Sequence, residues 1–274
     1  MPLSRRDALK ALLAGSVGAA AGATIYSAYT TDAVQLTHVT IPLEGLPSSL
    51  SGLRIGLLTD VHRSQWVSDE DVRTAVSLLM NERPDLVVLG GDYVTWGDRT
   101  YVNPSADAVA SLSAPHGVFA VLGNHDDDRD MPAALTARGI TVLKDARTSL
   151  TIRGETLDLA GLRFWTRRPE EIERVVKGGT GTTIMLAHDP RRIQEAAALN
   201  VPLLLSGHTH GGQVVLPVVG AIAAKKFPIL AGVAQEGPTT VFVSRGVGTV
   251  YVPVRVNCPP EVAVLTLEAT SPAR

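Results

Sequence analysis

Five short apolar runs along the chain each end in a polar cluster. The runs cover residues 54–59, 86–89, 118–122, 183–187 and 201–205. They are apolar without alternation, which predicts strands buried on both faces. Between them, apolar residues recur at helical spacing, as over residues 69–81, where Ser68 and Asp71 predict an N-terminal capping box. This alternation of strands and helices predicts an α/β fold.

The same periodicities predict the remaining elements. Helices are expected at 105–112, 131–138, 169–176 and 191–199, and strands at 140–143, 149–152 and 156–160. An edge strand at 34–41 is expected to end at Pro42, because proline cannot donate to a ladder. Strands at 240–243, 250–256 and 262–267 follow one another without a helix, so the fold class is α/β with an α+β character.

The polar clusters hold most of the histidines. Five of the seven histidines in the chain fall in them, and only His38 and His116 do not. In sheets of this kind, ligands bind beyond the carboxyl ends of the strands, so all five clusters are expected to converge in one crevice. The clusters are Asp60/His62, Asp92, Asn124/His125, His188 and His208/His210.

Composition limits the chemistry of such a crevice. A hydrophobic content of 45% with 19% charged residues indicates a globular protein with a core, and a net charge of −2 offers no basic face for nucleic acid. Cys258 is the single cysteine, which excludes an internal disulfide and a cysteine-based zinc cluster. Any metal is therefore held by His, Asp, Asn or Glu, a donor set that suits Mn, Fe, Zn or Co.

The clusters contain seven candidate metal ligands. Taken singly, Asp60, Asp92 and Asn124 are more typical of turns and helix caps. His208 and His210 fit a metal site and a satisfied loop equally well. Together the seven are too many for one tetrahedral ion and suit two ions that share one bridging carboxylate. The seven are Asp60, His62, Asp92, Asn124, His188, His208 and His210.

The ordered blocks D-x-H, G-D, G-N-H-D, H and G-H-x-H, from Asp60 to His210, resemble the calcineurin-like metallophosphoesterase superfamily. The resemblance implies two facing β-sheets flanked by helices, with the metal site at the carboxyl ends of the strands. It implies hydrolysis of phosphomonoesters or phosphodiesters by a hydroxide that bridges two divalent ions. One ion would be held by Asp60, His62, Asp92 and His210, and the other by Asp92, Asn124, His188 and His208.

The resemblance makes Asp92 the bridge between the two ions, and it assigns His208 and His210 to different ions. The two catalytic residues would be His125, which contacts the phosphate and protonates the leaving oxygen, and Asp126, which orients His125.

The form G-H-T-H-G-G-Q at 207–213, with 243–248 and 259–262, resembles a narrower bacterial branch that is often exported or membrane-associated. Some relatives of that branch cleave the pyrophosphate of a lipid-linked UDP-sugar, UDP-2,3-diacylglucosamine. The alternative function is therefore a pyrophosphohydrolase that acts on a UDP-linked lipid precursor at the membrane. A non-catalytic metal-binding protein is a third alternative, but its mark would be a missing ligand, and none is missing.

The N-terminal residues 1–31 resemble a twin-arginine export signal. Arg5 and Arg6 precede a long uncharged stretch, and 21–23 offers an A-x-A-like cleavage site, although Ala8 replaces the usual phenylalanine. An uncleaved membrane anchor is the alternative. The expected partner is the export machinery and the expected location is outside the cytoplasm, periplasmic or membrane-anchored. The chain is therefore expected to consist of this leader, an edge strand and linker at 32–52, the phosphoesterase domain at 53–268 and a tail at 269–274.

A few residues outside the blocks also receive predictions. Arg245 beside Gly246 either holds a substrate phosphate or lies solvated at the surface. Trp66 and Trp96 follow two ligand loops, where shielding packing is favoured over a place at the pocket rim. Residues 191–192 are expected to face solvent, and Cys258 to be buried and inert.

Overall fold

The computed structural model describes residues 33–222, 227 and 229–271, which fold around two facing six-stranded sheets. The predicted export signal or anchor at 1–31 lies outside the described residues. Within the described part of the chain, no helix has the length and apolar character needed to cross a membrane.

The strands of the first half are β1 (Gln35–Glu44), β2 (Arg54–Leu58), β3 (Leu86–Leu89), β4 (Val118–Ala120), β5 (Thr141–Val142), β6 (Ala146–Ile152) and β7 (Glu155–Leu162). Those of the second half are β8 (Thr182–Ala187), β9 (Leu203–Ser206), β10 (Val215–Leu216), β11 (Gly220–Ala221), β12 (Gly232–Glu236), β13 (Thr239–Val243) and β14 (Glu261–Thr270). The α-helices are α1 (Asp69–Asn81), α2 (Val102–Val109), α3 (Asp130–Thr136), α4 (Pro169–Val176) and α5 (Ile193–Ala198). Short 3₁₀ turns lie at Ser48–Leu50, Arg99–Tyr101, Pro190–Arg192 and His210–Gly212.

Both sheets have a parallel centre. The first has the order β1-β14-β2-β3-β4-β5, with β2, β3, β4 and β5 parallel. The second has the order β12-β13-β9-β8-β7-β6, with β13, β9, β8 and β7 parallel. The five apolar runs that predicted buried strands are therefore β2, β3 and β4 in one sheet and β8 and β9 in the other.

Three apolar layers explain why these runs lack alternation. Leu57 and Val88 point into the core between the sheets, whereas Leu58 and Val87 pack against the helices α1 to α3. The second sheet repeats the arrangement, because α4 and α5 cover its outer face. Successive residues of a central strand are thus buried on opposite faces, and both must be apolar. The layers form an αββα sandwich, which confirms the fold class implied by the resemblance.

Helix α1 begins and ends where its pattern predicts. The Ser68 hydroxyl accepts from the Asp71 N–H at 3.2 Å, and the Asp71 carboxylate accepts from the Ser68 N–H at 2.7 Å, so the predicted capping box is present. Strand β1 instead continues through Pro42 to Glu44 and pairs in parallel with β14. It is an edge strand, where a residue without an N–H is tolerated.

The predicted strand at 250–256 is wrong. Apart from a bridge at Val256, the segment is a loop wrapped around the side chain of Gln213. Gln213 Nε2 donates to the carbonyls of Val250, Val252 and Val254 at 3.0, 2.8 and 3.2 Å, and Gln213 Oε1 accepts from the Val250 N–H at 3.0 Å. One buried carboxamide satisfies the backbone groups that a neighbouring strand would otherwise pair, so the alternating valines require no sheet.

Candidate metal centre

The five polar clusters meet at one edge of the sandwich, as predicted. Each begins within four residues of the end of a strand: two lie after β2 and β3, one after β4, and two after β8 and β9. Because these strands are parallel within their sheets, their carboxyl ends lie side by side, and the facing of the sheets brings the two sets together.

One group of ligand atoms comes from Asp60, His62 and His210, and these atoms all lie within 4.8 Å of one another. The Nε2 atoms of His62 and His210 face each other at 3.1 Å. Asp60 Oδ1 lies 3.4 Å from His210 Nε2. All three residues are buried.

A second group comes from Asp92, His188 and His208, again with all atoms within 4.8 Å. His188 Nε2 lies 3.0 Å from Asp92 Oδ2 and 3.2 Å from His208 Nδ1. The two-residue loop spacing therefore places His208 in one group and His210 in the other.

Asp92 lies between the two groups. Its Oδ2, which contacts His188, is also 3.5 Å from His62 Nε2. Asn124 contributes a further oxygen, because its Oδ1 is buried and has no hydrogen-bond partner among the described residues. Imidazole nitrogens that face each other beside carboxylate oxygens, with a buried amide oxygen unused, form a donor set that fits divalent cations.

Neighbouring groups orient the ligands. His188 Nδ1 donates to the Gly90 carbonyl at 2.8 Å, so in the neutral ring that would bind a metal the lone pair on Nε2 faces the centre. His62 Nδ1 lies 3.1 Å from Thr95 Oγ1. The Asp60 carboxylate accepts from the His208 N–H at 3.0 Å, so the two ligand loops are tied directly together.

Electrostatics also favour a cation here. Burial lowers the pKa of both His62 and His208 to about 3, so both rings are neutral lone-pair donors at pH 7. Burial and the nearby Asp92 raise the pKa of Asp60 to about 6. Burial opposes a charge on His188, yet Asp92 and Asp60 outweigh it and raise the pKa of His188 to about 10. Without a metal, the two buried carboxylates thus draw a proton to the site.

The backbone of the ligand loops is unusual. Five of the seven predicted ligands have φ in the left-handed region, at 52°, 46°, 57°, 72° and 52° for Asp60, His62, Asp92, His208 and His210. Such conformations are uncommon outside glycine and concentrate at functional sites. Glycine allows the close packing around them: a Cβ at Gly123 would lie 2.0 Å from Asp92 Oδ1, and one at Gly207 2.2 Å from Asp60 Oδ2.

His125 lies beside the centre, with its ring centroid 5.0 Å from that of His62. The prediction that Asp126 orients it is wrong. The Asp126 carboxylate instead accepts from the backbone N–H groups of Asp92, Tyr93 and Gly123 at 2.8, 2.8 and 2.9 Å. Asp126 therefore ties the loops after β3 and β4 together and so positions Asp92.

Other predictions also need correction. The guanidinium of Arg245, for which the sequence left a substrate phosphate and solvent as alternatives, pairs with the Glu261 carboxylate at 3.0 Å. Trp66 and Trp96 are 63% and 64% exposed, so they rim a cavity rather than shield the core. Arg192 does not face solvent, because it is buried and donates to the Thr166 carbonyl at 2.8 Å. Cys258 is buried as predicted.

The sequence patterns did not identify Arg255. Its buried guanidinium donates to the carbonyls of Arg245, Gly246 and Gly248 at 2.8, 3.1 and 2.6 Å. Its Nη2 also lies 3.3 Å from His210 Nδ1. A single charged residue within the apolar run 250–256 was the available signal, since a buried charge requires dedicated partners.

A two-sheet sandwich with His, Asp and Asn side chains gathered at its strand ends is the architecture of a metal-dependent hydrolase of phosphoesters. The chain belongs to the calcineurin-like phosphoesterase family, whose sequence profile matches residues 53–212.

Curated relatives support this family, and solved structures support the fold. The chain is 31% identical to the uncharacterized metallophosphoesterase YkuE of Bacillus subtilis (strain 168), over 98% of this chain and 99% of that protein. It is 31% identical to the phosphodiesterase YaeI of Escherichia coli (strain K12), over 78% of this chain and 82% of that protein. The NAD nucleotidase NadN of Haemophilus influenzae superposes with a TM-score of 0.52, at 15% identity over 71% of this chain and 45% of that one. The protein TT1561 of Thermus thermophilus gives a TM-score of 0.50, at 12% identity over 72% of this chain and 91% of that one. At these identities the structural similarity concerns the fold alone.

Proposed function

We propose that the protein hydrolyses phosphate esters, and diesters in preference to monoesters, with one divalent ion held by each of the two ligand groups. The observation that carries the proposal is the place of Asp92, whose Oδ2 lies 3.0 Å from His188 of one group and 3.5 Å from His62 of the other. A carboxylate oxygen shared in this way suits two neighbouring ions. Such a pair supplies an acidified water molecule and charge stabilisation for the phosphoryl oxygens.

His125 acts as a neutral hydrogen-bond donor. The Trp96 N–H donates to its Nδ1 at 2.8 Å, so the ring proton is on Nε2. Burial lowers the pKa of His125, which also favours the neutral ring. Its Nε2–H then stabilises negative charge on a phosphoryl or leaving oxygen, in place of the proton transfer that the family resemblance implied.

Two cavities favour a diester, which carries two organic substituents. A cavity of about 410 Å³ next to His125 is lined by Trp66, Trp96 and Tyr251. Another, of about 390 Å³, is lined by His208, His210 and, again, Tyr251. The relative named as a phosphodiesterase supports the same preference.

A metal-reconstitution assay tests the proposal. The full chain is stripped with chelator, loaded separately with Mn, Zn, Fe or Co, and assayed with bis-p-nitrophenyl phosphate and p-nitrophenyl phosphate. We expect hydrolysis only after loading, two ions per active chain, and a higher kcat/KM for the diester. Two bound ions without hydrolysis of either ester would favour a non-catalytic metal-binding protein, and a higher kcat/KM for the monoester would overturn the diester preference.

A pyrophosphohydrolase acting on a UDP-linked lipid is the second candidate, favoured by the apolar lining of the cavity beside His208. Hydrolysis of UDP-2,3-diacylglucosamine, assayed beside the simple diester, separates the two. Release of UMP at a higher kcat/KM than for the diester would establish it.

Location outside the cytoplasm is part of the proposal and is supported by Arg5, Arg6 and the uncharged stretch after them. Replacing both arginines by lysine is expected to retain the protein in the cytoplasm of a host with a twin-arginine pathway. Export of the double variant at the wild-type level would contradict this route.

A further inference from the structure

The cavity beside His208 and His210 has an apolar wall. Ile222, Phe227, Val250, Tyr251 and Val252 contribute to its lining. No Asp, Glu, Lys or Arg is among its described lining residues. Its volume of about 390 Å³ lies within the range of small-molecule sites.

Several large apolar side chains at this cavity are exposed. Ile222 and Tyr251 are more than half exposed, and Val252 is 46% exposed. The edge of the Phe227 ring meets the His208 ring, with centroids 5.1 Å apart and planes at 87°. Exposed apolar groups gathered around a concave site indicate a surface that an apolar ligand covers.

One wall of the cavity is held in place independently of any ligand. The Gln213 carboxamide binds the carbonyls of Val250, Val252 and Val254, which fixes the loop that presents Tyr251 and Val252. A pre-formed wall lowers the entropic cost of binding a flexible chain.

We propose that this cavity receives an alkyl or acyl chain that is part of an ester substituent on the phosphate of the substrate. The inference rests on the proposed function, because it places the phosphorus atom at the metal centre. His208 and His210 belong to both the centre and the cavity wall, so a substituent on that phosphate extends directly into the cavity. Ile222, Tyr251 and Val252 are then specificity-determining residues.

The cavity next to His125 shares Val250, Tyr251 and Val252 with the one beside His208 but differs in chemistry. Its lining includes the polar side chains of Ser64, Gln65, Thr95 and Asp98 beside its aromatic rings. This difference assigns the apolar chain to the His208 side and leaves the other side to a polar or aromatic group.

Alkyl p-nitrophenyl phosphates with methyl, butyl and octyl chains test the proposal. Water adds its oxygen to phosphorus and loses its protons to solvent, the bond to the nitrophenyl oxygen breaks, and nitrophenolate leaves with the electron pair, so the alkyl phosphate is the other product. We expect kcat/KM to rise about fourfold per buried methylene until the chain fills the cavity.

Val252→Ser and Val233→Ser form a matched pair, because Val233 on β12 is 49% exposed and does not line the cavity. We expect Val252→Ser to lower the octyl-to-methyl ratio of kcat/KM at least fivefold, and Val233→Ser to leave that ratio at the wild-type value. Ile222→Ser should act like Val252→Ser.

Calorimetry with octylphosphonate and methylphosphonate gives a readout that needs no turnover. If octylphosphonate binds more tightly than methylphosphonate and Val252→Ser weakens its binding, the cavity binds the alkyl chain as proposed. This result would hold even if no ester were hydrolysed, in which case only the proposed function fails. The inference would be overturned if the methyl and octyl compounds gave equal kcat/KM and equal phosphonate affinities. It would also be overturned if Val252→Ser and Val233→Ser changed the octyl-to-methyl ratio of kcat/KM equally.

Discussion

The backbone N–H of Trp96 donates a 2.8 Å hydrogen bond to Nδ1 of His125. Nδ1 is therefore an acceptor, and the neutral ring carries its proton on Nε2. A second proton on Nδ1 would remove this acceptor, so the bond resists formation of the imidazolium. The exposed indole of Trp96 also meets the His125 ring, with centroids 4.7 Å apart, which fixes the ring plane.

Substitution of His125 tests this donor role. We expect His125→Ala to keep its metal content and to lose about 10²–10³-fold in kcat, the usual cost of one lost transition-state donor. His125→Gln should recover part of the loss, since its amide can donate but cannot act as an imidazolium acid. Hydrolysis of bis-p-nitrophenyl phosphate and metal analysis measure both effects.

His38→Ala is the control for this series, because His38 is exposed and contacts Glu82 away from the centre. It should retain wild-type kcat. A His125→Ala protein that loses one ion would make His125 a metal ligand and contradict the donor role.

Removal of Asp92 is expected to release metal from both groups. Its Oδ2 is close to both His188 and His62, so Asp92→Ala should lose both ions and essentially all hydrolysis. Wild-type protein should unfold at a lower temperature after chelation, because a ligand that binds only the folded state stabilises it. The variant should show little further change on chelation.

Asp107→Ala is the matched control, since Asp107 is an exposed carboxylate paired with Arg138. It should keep both metal content and the response to chelation. Full metal content and activity in Asp92→Ala would show that Asp92 is not shared between the groups.

The sequence was sufficient to predict which polar side chains meet at the centre, because each of them lies within four residues of the end of a strand. Once β2, β3, β4, β8 and β9 are recognised by their apolar runs, the parallel arrangement places their polar ends together. It was insufficient for Asp126, since neighbours in sequence do not reveal whether a carboxylate meets an imidazole or backbone amides. The loop at 250–256 was mispredicted because its hydrogen-bond partner, Gln213, is 37 to 41 residues away.

Arg255 is expected to stabilise the fold even without metal. Arg255→Met would leave the carbonyls of Arg245, Gly246 and Gly248 buried without donors, at a cost of about 3–5 kcal/mol in the free energy of unfolding. Arg255→Lys should recover part of it. Urea unfolding of chelated protein measures the difference.

The control is Arg153→Met, because Arg153 is partly exposed and donates to the carbonyls of Ser49 and Ser51 at the surface. We expect a change below about 0.5 kcal/mol for it. Equal stability of the two methionine variants would refute a structural role for the buried guanidinium.

Gln213 is expected to control the mobility of the loop that presents Tyr251. Gln213→Ala removes three donated hydrogen bonds and one accepted hydrogen bond. The free energy needed to open the loop should therefore be about 1–3 kcal/mol lower than in the wild type. Hydrogen exchange at the Val250 amide should accelerate accordingly. Gln235→Ala on β12 should leave that exchange unchanged, and equal exchange in both variants would contradict the role of Gln213.

The left-handed backbone conformation of the candidate ligands places donors for metal binding but lowers the stability of the fold. Holding a non-glycine residue in that region costs about 1 kcal/mol, and five ligands do so. Alanine and glycine scans should therefore disagree: His210→Gly should fold more stably than His210→Ala, although neither retains the donor. At His188, which is outside the left-handed region, the order should reverse. A stability selection that ignores activity would thus replace the left-handed ligands with glycine first.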